Sequence, residues 1–222
     1  MGKMIELTAP DGHKLGAYRA DPSGKPKGGI VVIQEIFGVN SHIKSVADGY
    51  AKDGYLAIAP ALFDRAQRNV DLGYSPDDIA KGRELRAKMA NDTVVKDVEA
   101  AVKAAAEGGK VAIVGYCWGG YVAWISAARV AGLAASVPYY GGGVHEAIGE
   151  QPKCPAMLHF GERDHMIPLE GVKKLAAAHP QQIVHIYPAD HGFNCDQRAS
   201  YDAPSAKLAR ERTLAFLKQH VG

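Results

Sequence analysis

Short apolar runs alternate with amphipathic segments along most of the chain. The run GIVVIQ at 29–34 has the length and the β-branched content of a strand covered on both faces. Between such runs the apolar residues recur with helical periodicity, as on one face of 92–107. The predicted strands are 5–8, 14–19, 29–34, 56–59, 110–115, 135–140, 156–160 and 183–187, and the predicted helices are 41–53, 77–90, 92–107, 118–131, 169–178 and 203–219.

Strands that alternate with helices predict an α/β fold with a mainly parallel central sheet and helices on both faces. The first two strands have no helix between them, so we expect an antiparallel hairpin at one sheet edge. No repeat or linker divides the chain, which indicates one domain over residues 1–222. Reactive groups in such sheets collect at the carboxyl ends of the strands. The loops after Gln34, Val114, Phe160 and Tyr187 are therefore expected to meet.

Composition and charge narrow the functional classes. Hydrophobic residues make up 47% of the chain and charged residues 23%, and the formal net charge is only +2. This balance argues against a nucleic-acid partner, which requires clustered Lys and Arg. The N-terminus lacks the apolar region of a secretory signal, and no apolar run approaches the ~20 residues of a membrane span. Three cysteines are too few for a disulfide framework, so we expect a cytoplasmic protein with reduced thiols and no membrane partner.

The string GYCWGG follows a predicted strand and precedes a predicted helix. This order is that of the nucleophile elbow G-x-S-x-G, with Cys117 in place of serine. Gly115 and Gly119 suit a turn so tight that side chains would clash with its neighbours. The thiol would lie at a helix N-terminus, whose partial positive charge favours thiolate. Cys117 is therefore the candidate nucleophile, and a small buried apolar side chain is the alternative interpretation.

Loops after the last two predicted strands supply a candidate acid and a candidate base. Asp164 lies in GERDHMIP, and His191 lies in ADHGF. The chain order of nucleophile, acid and histidine is the one that the hydrolase fold requires. His191 would take the thiol proton, and Asp164 would fix the imidazole tautomer. Asp190 is the alternative acid, although a direct neighbour of His191 is poorly placed to reach its ring.

The loop QEIFG follows the first buried strand and carries Glu35 and Ile36. An amide of this loop commonly completes the oxyanion hole, so we expect the N–H groups of Ile36 and Trp118 to form it. A glutamate at this strand end, facing a thiol, is unusual for a general hydrolase. Its alternative interpretation is a solvated loop carboxylate.

Taken together, these strings resemble the dienelactone hydrolase (carboxymethylenebutenolidase) family over nearly the whole chain. GYCWGG together with QEIFG is a specific pair. The matching segments are QEIFG at 34–38, APALFDR at 59–65, GYCWGG at 115–120, YYGGG at 139–143, GERDHMIP at 161–168, HGFNCDQR at 191–198 and ERTLAFL at 211–217.

The resemblance implies an α/β-hydrolase that converts a dienelactone into a keto-diacid such as maleylacetate, without a metal or an organic cofactor. It assigns the catalytic triad to Cys117, Asp164 and His191. It also implies that Glu35 holds the resting thiol and helps to deprotonate it when the substrate enters.

The resemblance also suggests which side chains contact the substrate, a small and anionic ester or lactone. It assigns the substrate carboxylate to Arg65. The family's second arginine, four residues past the histidine, falls on Cys195, so Arg198 is the candidate replacement. Tyr139 and Phe37 are further candidates for substrate contact.

Three other functions stay open. The altered second arginine position is compatible with a broader-specificity carboxylesterase or thioesterase on the same scaffold. A redox-sensing protein could be built around Cys117, although a sensor needs only the thiolate and has no use for His191 and Asp164. Zinc could bind Cys117, His191 and an acid, but these residues lack the C-x-x-C spacing of structural zinc sites.

Overall fold

A computed structural model describes residues 2–222 and contains one eight-stranded sheet. The strands are β1 (Lys3–Thr8), β2 (Lys14–Ala20), β3 (Gly29–Ile33), β4 (Leu56–Pro60), β5 (Val111–Tyr116), β6 (Leu133–Tyr139), β7 (Met157–Gly161) and β8 (Ile183–Tyr187). The helices are α1 (Ser41–Lys52), α2 (Pro76–Ala87), α3 (Asn91–Ala105), α4 (Trp118–Arg129), α5 (Leu169–Ala178) and α6 (Ala203–His220), with 3₁₀ turns at Leu62–Arg65 and Ala106–Gly108. None of the described helices combines the length and the apolar character that a membrane-spanning helix requires.

The strand order is β1-β2-β4-β3-β5-β6-β7-β8. β1 and β2 form the predicted antiparallel hairpin at one edge, and β2 also pairs antiparallel with β4. All pairings from β4 through β3 to β8 are parallel. Helices flank this sheet: α1 packs on β4 with α6 beside it, and α3 packs on β3 and against α4. The predicted α/β-hydrolase fold is therefore confirmed.

The centre of the sheet explains why its strands have continuous apolar runs. Every residue of β3, β4 and β5 is buried, because helices cover both faces of these strands. β8 lies at the opposite edge from the hairpin and leaves Ile183 and Ile186 exposed. The rigid central strands end in the loops that carry the candidate site residues, so the core fixes where those residues lie.

Candidate active site

Cys117 occupies a strained turn between β5 and α4. Its backbone has φ 55° and ψ −118°, a region that costs a residue other than glycine roughly 1–3 kcal/mol. Hydrogen bonds hold the turn: the N–H of Cys117 donates to the carbonyl oxygen of Tyr139 at 3.1 Å, and the N–H of Gly120 donates to the carbonyl oxygen of Cys117 at 2.9 Å. The strain directs the Cys117 side chain away from the strand and places it at the N-terminus of α4, where the helix dipole favours an anion.

Two glycines make this turn possible. A Cβ atom on Gly115 would lie 1.9 Å from the carbonyl oxygen of Gly119. A Cβ atom on Gly119 would lie 2.5 Å from the carbonyl oxygens of both Ile33 and Gln34. Only hydrogen fits at either position, so α4 can approach β5 and the end of β3 closely enough to bring Cys117 beside the QEIFG loop.

The loops after β7 and β8 bring Asp164 and His191 into direct contact. Oδ2 of Asp164 lies 2.7 Å from Nδ1 of His191, and Oδ1 of Asp164 accepts a hydrogen bond from the N–H of Met166 at 2.9 Å. The Asp164 side chain is fully buried. Within residues 2–222, Asp164 is thus the carboxylate that bonds to the ring, and Asp190 makes no side-chain hydrogen bond to it.

The opposite edge of the His191 ring, which carries Nε2, is directed toward the thiol of Cys117. Burial by itself would lower the pKa of His191, but negative charge on Cys117 and the hydrogen bond to Asp164 outweigh it and raise the pKa to about 10. Nε2 is buried and makes no hydrogen bond within the described residues. This nitrogen is therefore available to share a proton with Cys117 or with a reacting group.

Glu35 is fully buried, so the alternative interpretation of a solvated loop carboxylate is wrong. Its Oε1 accepts a hydrogen bond from Nη1 of Arg198 at 3.1 Å, and its Oε2 accepts one from the hydroxyl of Tyr74, also at 3.1 Å. The Arg198 guanidinium lies over the rings of Phe37 and Tyr74. Gly192, next to His191, makes room for it, because a Cβ there would lie 2.6 Å from Nη1 of Arg198. Arg198 thus lies at the site, but its charge is paired.

The two predicted oxyanion amides flank the turn. Trp118 is the first residue of α4, and Ile36 follows Glu35 in the loop after β3. Neither N–H donates a hydrogen bond to another group in the described part of the chain. The Trp118 ring stacks on Phe63 with centroids 5.2 Å apart, which fixes the start of the helix. Both donors are free for an oxygen that becomes negative during reaction.

The substrate role predicted for Arg65 is corrected by its contacts. Its Nε and Nη2 each lie 2.7 Å from an oxygen of the fully buried Asp97, and Nη2 also reaches Asp11. This fork-to-carboxylate geometry occupies the guanidinium donors in a structural ion pair. Arg65 therefore joins the 3₁₀ turn after β4 to α3, and its Nε and Nη2 donors are already bonded to protein carboxylates.

The predicted substrate contacts of Tyr139 and Phe37 are also corrected. Tyr139 is fully buried, and its hydroxyl lies 2.6 Å from the Thr213 hydroxyl of α6. The buried ring of Phe37 packs edge-on against Tyr74, with centroids 4.6 Å apart. The Arg198 guanidinium lies over the Phe37 ring, so Phe37 supports that side chain. The next residue, Tyr140, takes the position that the sequence suggested for Tyr139.

Tyr140 is a site residue that the sequence analysis missed. Its backbone has φ 36°, its ring lies edge-on to His191 with centroids 5.3 Å apart, and its hydroxyl is buried without a hydrogen-bond partner within residues 2–222. Burial, with the nearby charge of Glu35, raises its pKa well above the usual value for tyrosine. Strand register could have revealed it: Tyr139 pairs with Tyr116, so Tyr140 is level with Cys117.

Arg86 on α2 is the second residue that sequence reasoning missed. Its guanidinium lies 5.2 Å from the centroid of the Trp118 ring and 5.9 Å from that of Tyr121, close enough to interact with charge on Cys117. Burial lowers its pKa, and none of the ion pairs formed by the described residues includes it. It lines a cleft of about 540 Å³ together with Tyr121 and Glu146. Its Nη1 donates a hydrogen bond to the carbonyl oxygen of Met89 at 3.4 Å, so Arg86 is a half-buried cation without an anionic partner.

Fold and site together define an enzyme of the α/β-hydrolase fold. The family model described as "Dienelactone hydrolase family" matches residues 15–221. The chain belongs to the dienelactone hydrolase family.

Similar proteins agree with this assignment. A carboxymethylenebutenolidase of Pseudomonas putida is 35% identical over 96% of this chain and 94% of its own. A Synechocystis protein, provisionally described as a carboxymethylenebutenolidase, is 37% identical over 95% of this chain and 94% of its own. A crystal structure from Klebsiella pneumoniae, provisionally described as a dienelactone hydrolase, is 32% identical, covers 99% of both chains and gives a TM-score of 0.86. The protein is a carboxylic ester hydrolase that acts on a small-molecule ester or lactone.

Proposed function

We propose that the protein hydrolyses an anionic enol lactone of the dienelactone type to a keto-diacid, with the Cys117 thiolate as nucleophile. The observation that carries this proposal is a strained elbow at Cys117 together with the His191 imidazole, whose Nδ1 lies 2.7 Å from Oδ2 of Asp164 and whose Nε2 is unpartnered within the described residues. Negative charge on Cys117 and the hydrogen bond to Asp164 raise the pKa of His191 to about 10, so the ring can hold the proton that the nucleophile gives up.

The first chemical step forms a thioester. The thiolate of Cys117 attacks the lactone carbonyl carbon, and the resulting oxyanion accepts hydrogen bonds from the N–H groups of Ile36 and Trp118. Collapse of the tetrahedral intermediate breaks the ring C–O bond. The enol oxygen, stabilised by resonance, takes the proton of His191 as it leaves, and the ring becomes neutral. A thiolate suits this reaction because the leaving group is good.

The second step regenerates the thiolate. Neutral His191 takes a proton from water as the resulting hydroxide adds to the thioester carbonyl, and the same two amides bind the new oxyanion. Breaking the C–S bond releases the carboxylic acid and returns Cys117 to thiolate beside protonated His191. Asp164 keeps the ring in one tautomer throughout and stabilises the imidazolium.

Glu35 has a part in this proposal through its pairing with Arg198. In the resting enzyme the two charges neutralise each other beside Cys117. An incoming substrate carboxylate would compete with Glu35 for the guanidinium. The displaced Glu35 would then help to remove the thiol proton in any molecules in which Cys117 is protonated.

Arg86 replaces Arg65 as the proposed primary contact of the substrate carboxylate, because Arg86 is half-buried, close to Cys117 and without an anionic partner. The test compares Arg86→Ala with the exposed neighbour Arg83→Ala, using an anionic dienelactone and a neutral aryl ester. Loss of a charged hydrogen bond is worth about 1.5–3 kcal/mol. We expect kcat/KM of Arg86→Ala for the dienelactone to fall about 10- to 150-fold, with little change for the aryl ester. Equal losses on both substrates would reject this role.

A broader-specificity carboxylesterase is the second candidate. It is favoured by two facts: Cys195 stands where the family has its second arginine, and the charge of Arg198 is already paired with Glu35. The same comparison separates the candidates. An esterase would turn over neutral aryl esters as well as it does anionic lactones, and it would be insensitive to Arg86→Ala on both.

A further inference from the structure

Three buried side chains at the edge of the candidate active site form a cluster with metal-binding chemistry. The cluster consists of Glu35, His42 and Cys195. Each residue offers one ligand atom, and these three atoms lie within 4.8 Å of one another. They come from three separate segments: the loop after β3, the first turn of α1 and the loop after β8. This cluster shares only Glu35 with the residues to which we assign the reaction.

His42 is oriented as metal-binding histidines are. Its Nδ1 lies 3.5 Å from a carboxylate oxygen of Asp196, while its Nε2 is buried and has no hydrogen-bond partner within residues 2–222. The whole residue is only 3% exposed. In protein metal sites a carboxylate commonly accepts from one ring nitrogen of a histidine so that the other presents its lone pair to the ion. Burying such a lone pair without a partner is costly, and a bound cation would remove that cost.

The three donor types select the metal. A thiolate, an imidazole and a carboxylate together suit Zn²⁺, which accepts sulfur, nitrogen and oxygen ligands in tetrahedral geometry. Typical bond lengths are about 2.3 Å to sulfur and about 2.0–2.2 Å to nitrogen and oxygen, so a cluster of this size needs only small side-chain shifts. Three protein ligands leave the fourth position for water. Mg²⁺ and Ca²⁺ are disfavoured because they prefer oxygen ligands alone.

We propose that Glu35, His42 and Cys195 form a Zn²⁺ site that inhibits the enzyme when it is occupied. Binding forms a Zn–S bond to Cys195, and the thiol proton is released to solvent. It also draws the Glu35 carboxylate from its pairing with Arg198. The inhibition rests on the role proposed for Glu35 in hydrolysis, but the metal site itself does not.

Arg198 competes with a metal ion for Glu35, so replacing Arg198 should strengthen metal binding, whereas replacing a ligand should weaken it. Its guanidinium nitrogen lies 3.1 Å from Oε1 of Glu35, so it repels a cation that approaches the same carboxylate and competes for that oxygen. Replacing Arg198 with Gln removes this repulsion. The site should then bind metal more tightly, a gain that a poorly folded variant would not give.

The experiment uses Co²⁺ as a spectroscopic substitute for Zn²⁺, in the absence of substrate. We expect a thiolate-to-cobalt charge-transfer absorption in the near ultraviolet that Zn²⁺ abolishes by competition. Cys195→Ser should remove the band. His42→Asn should weaken metal binding more than about 100-fold, because losing a residue that only supports a ligand costs up to about 100-fold and losing a ligand itself should cost more. Arg198→Gln should strengthen binding. Cys154→Ser is the matched control, because Cys154 is a buried free cysteine outside the cluster, and it should keep the band.

Cys117→Ser distinguishes this site from metal at the catalytic thiol. The band should persist in this variant, although hydrolysis is lost. In the wild-type enzyme, Zn²⁺ should slow hydrolysis, a chelator should restore it, and Cys195→Ser should be insensitive to the metal. The proposal is overturned if no band forms, if the band survives Cys195→Ser, if it disappears in Cys117→Ser, or if Arg198→Gln weakens binding. Because the spectra need no turnover, failure of the proposed reaction would leave them unchanged.

Discussion

Replacing Asp164 with Asn tests how much of the reactivity depends on one buried hydrogen bond. The carboxylate lies 2.7 Å from Nδ1 of His191, and its other oxygen is held by the N–H of Met166. The introduced amide would keep the shape of the side chain and remove its charge. A hydrogen bond to a charged group contributes about 1.5–3 kcal/mol, so the protonated form of His191 loses about that much stabilisation.

This loss predicts both a slower reaction and a shifted pH profile. One pKa unit corresponds to about 1.36 kcal/mol, so the pKa of His191 should fall by about 1–2 units. The raised pKa of about 10 keeps the ring protonated, and able to protonate the leaving group, up to alkaline pH. The alkaline limb of kcat/KM in Asp164→Asn should therefore move to about pH 8–9, and the rate at neutral pH should fall at least about 10- to 150-fold. A ring trapped in the wrong tautomer would add to the loss in rate.

The assay is kcat/KM against pH for a neutral aryl ester, which avoids effects on binding of the substrate carboxylate. Asp190→Asn is the matched control, because Asp190 is next to His191 in sequence but makes no bond to its ring. It should leave both the rate and the alkaline limb unchanged. The reasoning is refuted if Asp164→Asn behaves as wild type, or if Asp190→Asn shows the loss instead.

Two further substitutions test the corrected and the unusual residues of the site. Arg65→Ala leaves Asp97 buried without its partner, so the free energy of unfolding in urea should fall by about 3–5 kcal/mol. The kcat/KM of the folded enzyme should not change. A selective rise in KM for anionic lactones would restore a substrate role for Arg65. Glu35→Gln removes a negative charge near Cys117 and frees Arg198, so iodoacetamide should alkylate Cys117 faster at neutral pH while turnover of anionic substrates falls. Superimposable alkylation profiles with unchanged turnover would show that Glu35 has no part in the reaction.

Sequence patterns were sufficient to predict the fold and those site residues whose positions depend on local backbone geometry. All eight predicted strands are confirmed, and the apolar runs of β3, β4 and β5 are continuous because these central strands are buried on both faces. The elbow could be predicted because its geometry requires Gly115, Cys117 and Gly119 within a few residues. The loop contact between Asp164 and His191 followed from the shared edge at which parallel strands end.

Side chains that bind the substrate were harder to predict, because their role depends on distant partners. Arg65 is the last residue of the family segment APALFDR, yet it pairs with Asp97 on the buried face of α3, and no local sequence pattern reveals that pairing. Arg86 lies on α2, a mostly polar helix whose charges look solvated in sequence. Tyr139 and Tyr140 are adjacent, and only the register with β5 indicates which of the two is level with Cys117.

The identity of the nucleophile is the central claim, and trapping the covalent intermediate tests it most directly. Wild-type enzyme is mixed with a slowly deacylating aryl ester, quenched in acid within the first turnovers and examined by peptide mass spectrometry, alongside Cys117→Ala. We predict an acyl adduct on the peptide that contains Cys117 in the wild type, and neither adduct nor turnover in the variant, whose circular dichroism should match the wild type. Wild-type turnover by Cys117→Ala, or an acyl group on a different residue, would contradict the account.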